Sequence, residues 1–357
     1  MHLRRFDQYT FSMQYVAGTV LTIDGPVAGY IGFDRKKIRE YGEGKPPSLP
    51  LADGWIIPPF VNAHTHIGDT FVRKKYRNLP HNIEQLVAPP HGLKHKALEQ
   101  ASDRLIISGM RSSIEHMIHE GTGSCWDFRE GGIQGQELLM KAQKQYPLNI
   151  VIFGRPAALC YDEEELEQLL PLVHGIGISS ISDWDIDQLS NLAHYIHKKK
   201  KLFALHASER IREDIETILA LQPTFIVHMT QGTSKDFKCI HDNNIPIVVC
   251  PRSNHFFGLQ SPLKLMKQHQ VSLLIGTDNA MLHPPSLIEE MRFIMRHWSC
   301  FSEQDLLQMV TYSGRKALNP EAVIPFPTQQ SNFVVLGKLT LEPLFVSQFK
   351  QDGYHEN

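Results

Sequence analysis

Eight short apolar runs, each followed by a longer amphipathic stretch, constrain the fold of this chain more than any other feature. From Pro58 onward the runs lie at 60–64, 122–128, 149–153, 175–179, 202–206, 225–228, 246–250 and 272–276. A strand with one wet face alternates apolar and polar residues, whereas a strand covered on both faces reads as a continuous apolar run. Helical periodicity fills the gaps at 94–120, 134–146, 163–173, 185–199, 209–221, 234–243 and 261–269, and a further helical pattern at 286–297 follows the eighth run. Eight βα units in succession predict an α/β fold, a closed (β/α)8 TIM-type barrel over 58–320. An open, doubly wound parallel sheet is the structural alternative.

The flanks read differently. Strand-like stretches at 13–23 and 27–33 are joined by the turn Asp24-Gly25-Pro26, and 37–41 reads as another short strand. Behind the barrel, 302–318 predicts a terminal helix with Ser302 as its N-cap and Glu303 in the first turn. Pro320, Pro325 and Pro327 then mark a linker, and 332–336 reads as a final strand. That strand is expected to return to the N-terminal unit, so that 1–57 and 321–357 together make one small composite β-sandwich domain. Inside the barrel, a long loop at about 69–93 carries Pro80, His81, Glu84, Pro89, Pro90 and His91, and is expected to form a lid or substrate wall.

Composition bounds the partners. Across 357 residues, 36 Lys and Arg against 38 Asp and Glu leave a formal charge of −2, so no bulk field draws the chain to nucleic acid or anionic membrane. The basic run 198–201 is expected to be a solvated helix end. No apolar run approaches a membrane span, and Met1 to Phe6 precede no signal-peptide core. The five cysteines are scattered and form no C-x-x-C, which fits a reduced, cytoplasmic setting. The expected partner is a small-molecule substrate, with no nucleic acid and no membrane; self-association into a homo-oligomer is left open.

Catalytic groups of a βα barrel gather at the C-terminal ends of its strands. Strand one ends in His64-Thr65-His66, strand five in His206-Ala207-Ser208-Glu209, strand six in Val227-His228 and strand eight in Gly276-Thr277-Asp278. Alternate residues of a strand share a face, so His64 and His66 point the same way. Two neutral imidazoles so placed can hold one metal ion. A single histidine at the end of an apolar strand is ordinarily structural. Metal-type ligands or proton-transfer groups on four separate strand ends are not accounted for in that way.

On these motifs, H-T-H at 64–66, H-A-S-E at 206–209, His228 and G-T-D-N at 276–279, the sequence resembles the amidohydrolase superfamily, in the branch of cytosine deaminase, adenosylhomocysteine deaminase and the triazine hydrolases. The likeness runs from the N-terminal β unit through Leu336, and Cys250-Pro251-Arg252-Ser253-Asn254 resembles a strand-seven motif of that branch. Pro59 stands where the family usually has Gly. The resemblance implies that His64, His66, His206 and Asp278 are metal ligands, that Glu209 is the proton shuttle, and that His228 assists as an acid or electrophile. Three imidazoles and a carboxylate leave room for a water whose pKa the metal lowers, giving hydroxide near neutral pH. Asp278 can also hydrogen-bond that water. Binuclear relatives need a bridging Lys or Glu at the end of strand three or four; those ends read Phe153-Gly154-Arg155 and 177–182, without either residue. One divalent ion is therefore expected, zinc, with iron as the alternative.

Arg129, Arg155 and Arg252 follow strands two, three and seven, and with Asn254 are the expected substrate-binding residues. Guanidinium groups facing one cavity would bind a carboxylate or phosphate. Structural ion pairing, for instance Arg129 with Glu130 or Asp127, is the competing account. Phe256, Phe257 and Trp126 are candidates to stack on a flat ring or to pack the core. The expected activity is hydrolytic deamination of an amino-substituted heterocycle such as a purine or pterin, with or without an anionic tail. The alternatives are a cyclic amide or imine hydrolase of the imidazolonepropionase kind, a formimino deiminase, or a non-catalytic barrel used as a binding module.

Overall fold

A computed structural model describes residues 13–319 and 325–347. The readings of Met1 to Phe6 and of Pro320 fall outside the described residues. The chain divides into two compact units, one holding the described residues 13–59 and 325–347, the other 60–319. No helix among the described residues is long and apolar enough to cross a membrane.

The first unit begins with four strands: β1 (Gln14–Thr22), β2 (Gly25–Phe33), β3 (Ile38–Glu43) and β4 (Asp53–Ile57). β1 and β2 form an antiparallel hairpin whose last pair is Thr22 with Gly25, and the Thr22 hydroxyl donates to the Gly25 carbonyl. β4 was not legible in the sequence because its Asp-Gly start reads as a turn. It pairs parallel with β1.

The second unit is the barrel. Its strands are β5 (Phe60–His66), β6 (Thr122–Arg129), β7 (Asn149–Gly154), β8 (Gly175–Ile178), β9 (Leu202–Ala207), β10 (Phe225–His228), β11 (Ile247–Val249), β12 (Leu273–Ile275) and β13 (Asp278–Asn279). β5 to β12 pair in parallel, each with its successor in sequence. β12 and β13 are two halves of the eighth strand position. β12 pairs with β11, and β13 pairs with β5 through Asp278 to Thr65 and Asn279 to His66. Backbone bonds from Gly276 N to Val249 O and from Thr277 N to His64 O span the step between them. The sheet closes on itself there, which an open doubly wound sheet does not do.

The helices fall between the strands with several changes of boundary. The expected helix at 94–120 is two, Leu93–Gln100 and Asp103–His119, because Ser102 accepts from Leu105 N and starts a new helix. Only Ile215–Ala220 of the stretch 209–221 is helical. The terminal helix is broken into Glu303–Met309 and Tyr312–Leu318. An additional helix, Pro251–Phe256, follows β11, with Pro251 in the first position, where its missing N–H costs nothing.

After the barrel, β14 (Val334–Leu336) and β15 (Pro343–Val346) complete the first unit. β14 pairs antiparallel with β4, giving a six-stranded sheet in the order β15-β14-β4-β1-β2-β3. β15 opens on a proline, a residue confined to sheet edges, and it lies at the edge. The sheet folds over itself in the manner of a sandwich: Phe33 on β2 packs its ring 5.2 Å from both Phe333 and Phe345.

Aromatic side chains fill the barrel interior. Trp126 and Phe128 from β6, Phe153 from β7 and Phe225 from β10 are fully buried and touch one another across the sheet, with Phe153 5.2 Å from Phe128 and 5.1 Å from Phe225. Phe128 also sits against the His64 ring at 4.4 Å, so this packed layer is the floor on which the first histidine rests. Phe153→Ala is expected to cost about 3–5 kcal/mol by the loss of contacts plus the cavity left behind. Equilibrium unfolding in urea measures it, and a loss below about 1 kcal/mol would contradict a close-packed interior.

Candidate active site

Three site residues adopt a backbone conformation that non-glycine residues rarely visit. Ser208 (φ 47°), His228 (φ 75°) and Asp278 (φ 58°) are left-handed, a state that costs of order 1–3 kcal/mol and concentrates at functional sites. Each lies at or beside the carboxyl end of its strand position. The turn breaks strand alternation, so Val227 stays in the apolar interior while the next residue, His228, joins the histidine cluster. Beneath them Gly276 leaves room for His64: a Cβ there would lie 2.6 Å from the His64 Cβ and 2.9 Å from its backbone N.

His64, His206, His228 and Asp278 each present a ligand atom, all within 4.8 Å of one another. The Nε2 atoms of His206 and His64 are 3.1 Å apart. Asp278 Oδ1 lies 3.3 Å from His64 Nε2 and 3.5 Å from His66 Nε2. Hydrogen bonds on the far side of the His206 and His66 rings set which nitrogen carries the proton, while His64 Nδ1 has no partner among the described residues. His206 Nδ1 faces the Ile178 carbonyl at 2.7 Å, and His66 Nδ1 faces the Phe128 carbonyl at 3.1 Å with Glu130 Oε1 at 2.8 Å. Both Nδ1 atoms must therefore donate, which leaves both Nε2 lone pairs aimed at the centre. Two inward imidazole lone pairs, a third imidazole and a carboxylate gathered this closely are a donor set that fits a divalent ion.

Electrostatics agree. Burial lowers the imidazolium pKa of His64 and, more strongly, of His206, where neighbouring His64 adds to the effect. Burial, with the Lys94 charge, takes His66 down to about 3. All three rings are thus neutral, the form that ligates, near neutral pH. Burial would raise the Asp278 carboxyl, but its hydrogen bond with His64 and the nearby histidines outweigh that and hold it well below the ordinary range. The Ser253 hydroxyl and Asn279 Nδ2 both donate to its oxygens, the latter at 3.0 Å.

His228 is held the other way round. The Ser261 hydroxyl donates to Asn254 Oδ1 at 3.0 Å, which turns Asn254 Nδ2 toward Glu209 Oε1 (3.0 Å) and His228 Nδ1 (3.2 Å). His228 Nδ1 then accepts, and its Nε2 carries the proton, 3.5 Å from Glu209 Oε1. So although His228 is close enough to ligate, its hydrogen bonds prepare it to donate. Burial pushes the Glu209 carboxyl above its usual value against the opposing pull of His228, toward the range a proton-transfer group needs.

These residues form one end of a cavity with about 720 Å³ of empty space, open solvent at its mouth included. Ile83, Val87, Ala88 and Pro89 of the long loop line it. Of the residues expected to hold substrate, Arg155 lines the cavity, 8% exposed, and its Nε has no hydrogen-bond partner among the described residues. Beside it the buried Ser179 hydroxyl also lacks one. Arg129 does not serve as expected: it is 1% exposed, bonded to Glu130 at 2.6 Å and 3.5 Å from Asp127. Arg252 is likewise engaged, its backbone N donating to the buried Glu290 and its guanidinium 3.7 Å from the same carboxylate. The fold supplies a paired carboxylate to Arg129; the Arg252 guanidinium lies near Glu290 without a hydrogen bond to it among the described residues. Asn254 acts on Glu209 and His228 instead of lining the cavity. Phe257 lines the cavity, Trp126 packs the core and Phe256 stacks on His81 at 4.2 Å. Lys94, Ser253 and Asn279 were not singled out in the sequence, and Glu130 was named there only as a possible partner of Arg129. Only Asn279 and Ser253 carried a signal, lying inside motifs already noted.

The profile of the Amidohydrolase family matches residues 55–322. An uncharacterized protein of Methanocaldococcus jannaschii is 35% identical over 326 residues, 86% of this chain and 82% of that protein. The 5-methylthioadenosine/S-adenosylhomocysteine deaminase of Pyrococcus abyssi is 23% identical over 317 residues, 77% of this chain and 72% of that protein. Among solved structures, aminofutalosine deaminase of Helicobacter pylori superposes with a TM-score of 0.67 at 18% identity, covering 91% of this chain and 92% of that one.

The tautomers separate His66 from His228 experimentally. Zinc-loaded His66→Ala is expected to lose most of its metal, and His228→Ala to keep it, by elemental analysis after gel filtration. The opposite pattern would make His228 the ligand and His66 a structural ring.

Proposed function

The chain belongs to the amidohydrolase family and is a hydrolase acting on carbon–nitrogen bonds, and from that premise we propose that it deaminates an amino-substituted heterocycle. His64, His66, His206 and Asp278 would hold one divalent ion, with zinc first and iron second by the nitrogen and oxygen donor set. When bound, the ion supplies the Lewis acidity that makes water a nucleophile near neutral pH. The remaining chemistry belongs to the chain. The carbon bearing the amino group gains a bond to the water oxygen and loses its bond to nitrogen, so water is consumed, ammonia leaves, and no oxidant or reductant is needed.

The observation that carries this reading is the setting of Glu209. Its carboxylate is fixed by Asn254 Nδ2 and faces the protonated nitrogen of His228, at the cavity wall beside the histidine cluster. From there it takes a proton from water and delivers it to the departing nitrogen. His228 Nε2–H donates to the ring atom that gains electron density, and Asp278 accepts from the water. A second proton-transfer group is not required. The substrate reading follows from the unpaired donors: Arg155 and the Ser179 hydroxyl suit an acceptor-rich or anionic group on the substrate, and Phe257 offers an apolar face to the ring. The deaminase names of the Pyrococcus and Helicobacter proteins support an aminated purine-type ring.

The experiment is a screen of amino-heterocycles, with and without an anionic tail, for ammonia release by zinc-loaded protein. Ring opening without ammonia would contradict deamination. On whichever compound is turned over, Glu209→Gln is expected to keep its metal and fold while kcat drops by about 10²–10⁴. Near-normal turnover by that variant would remove Glu209 from the proton path.

A further inference from the structure

The helix that follows the long loop carries a cation into the cavity wall. Lys94 is the second residue of Leu93–Gln100 and only 3% exposed, a rare state for an ammonium unless it is paired. Its Nζ has Asn279 Oδ1 at 2.9 Å, Glu130 Oε1 at 2.5 Å and Asp69 Oδ2 at 3.6 Å. The Asn279 and Glu130 oxygens are within contact of the ammonium, and the Asp69 carboxylate adds charge from beyond hydrogen-bond distance. In this Lys94 differs from Arg155.

Two of those three oxygens belong to residues that touch the histidine and aspartate cluster directly. Glu130 Oε1 is also the atom 2.8 Å from His66 Nδ1. Asn279, through its other amide atom, donates to Asp278 Oδ1 at 3.0 Å. An ammonium can only donate, so it forces the Asn279 amide to turn its oxygen toward Lys94 and its NH2 toward Asp278. With no cation at that point the Asp278 carboxylate alone holds the amide, and the side chain loses the partner that fixes it from its oxygen end. In the same way, the ammonium fixes the direction of the Glu130 oxygen that faces His66. Partners of this outer kind orient ligating rings and carboxylates and tune the metal.

We propose that Lys94 is a positioning residue of the metal centre, through which the seating of helix Leu93–Gln100 fixes the orientation of His66 by way of Glu130 and of Asp278 by way of Asn279. The inference rests on the metal reading given above and adds to it a residue that touches neither substrate nor ion. It also ties the wall contributed by the long loop to the geometry of the centre. Glu130 would not be stranded by loss of Lys94, because Arg129 Nη2 holds its other oxygen at 2.6 Å. Lys94→Met is therefore a usable variant.

The test is zinc affinity, measured by competition with a chromophoric chelator on the full chain, beside the melting temperature of the metal-free protein. K94M is expected to bind zinc about 10–100-fold more weakly than wild type. The visible spectrum of its cobalt-substituted form should change as His66 and Asp278 relax. A residue that merely packed the wall would lower the melting temperature and leave both metal readouts where they were. Zinc affinity within about twofold of wild type, where an outer partner is worth tenfold or more, overturns the inference alone. A wild-type chain that binds no zinc overturns the metal reading together with it. Should K94M not fold, K94Q, which keeps a donor for Asn279 and removes the charge, goes through the same titration with the same outcomes.

Discussion

Two backbone carbonyls govern the chemistry this barrel can do. The Ile178 carbonyl at the end of β8 takes the Nδ1 proton of His206, and the Phe128 carbonyl near the end of β6 shares that of His66 with the nearer Glu130 Oε1. Each ring is thereby locked with its Nε2 lone pair facing inward. Burial removes the other escape, protonation, by holding the rings neutral. The two locked rings, with His64 and the Asp278 carboxylate beside them, make a compact set of nitrogen and oxygen donors that suits a cation and does not suit an apolar core. Both carbonyls lie at or next to the carboxyl end of a parallel strand, so strand topology sets where the two rings are held.

The same topology explains where strain is stored. Closing the sheet requires the chain to leave β11 at the end of β12 and join β5 as β13 within a few residues, and Asp278 turns left-handed at that step. Ser208 and His228 turn in the same sense at the ends of β9 and β10. Ser208 N donates to the buried Glu213 at 2.8 Å and the Ser208 hydroxyl accepts from Glu213 N at 3.0 Å, which holds the turn that carries Glu209. The cost of these conformations is met by hydrogen bonds in the following loop, and the return is a set of side chains that converge instead of alternating.

Much of this was legible in the sequence, and the reasons are physical. Continuous apolar runs marked all eight barrel positions because both faces of each strand are covered. His64, His66, His206, Glu209, His228 and Asp278 stood out because chemistry-bearing residues closed four of those runs. β4 and β15 escaped because Asp-Gly and Pro at their starts read as punctuation. The arginines are harder to read because a sequence shows a guanidinium but not the carboxylate folded against it; Glu130 pairs with Arg129 and Glu290 lies 3.7 Å from Arg252, while Arg155 lines the cavity. Lys94 was invisible for the opposite reason. A lysine in an amphipathic helix reads as a solvated residue, and only the tertiary fold reveals that its helix is docked beside three oxygens.

The central claim is that imidazole lone pairs from separate strand ends converge on one cation. X-ray absorption at the zinc edge of the zinc-loaded protein, with the metal content of the same sample, tests it most directly. The predicted result is one zinc per chain in a shell of nitrogen and oxygen only, near ~2.0–2.2 Å, with the outer-shell scattering of several imidazole rings. Two ions per chain, or a shell without imidazole scattering, would contradict it.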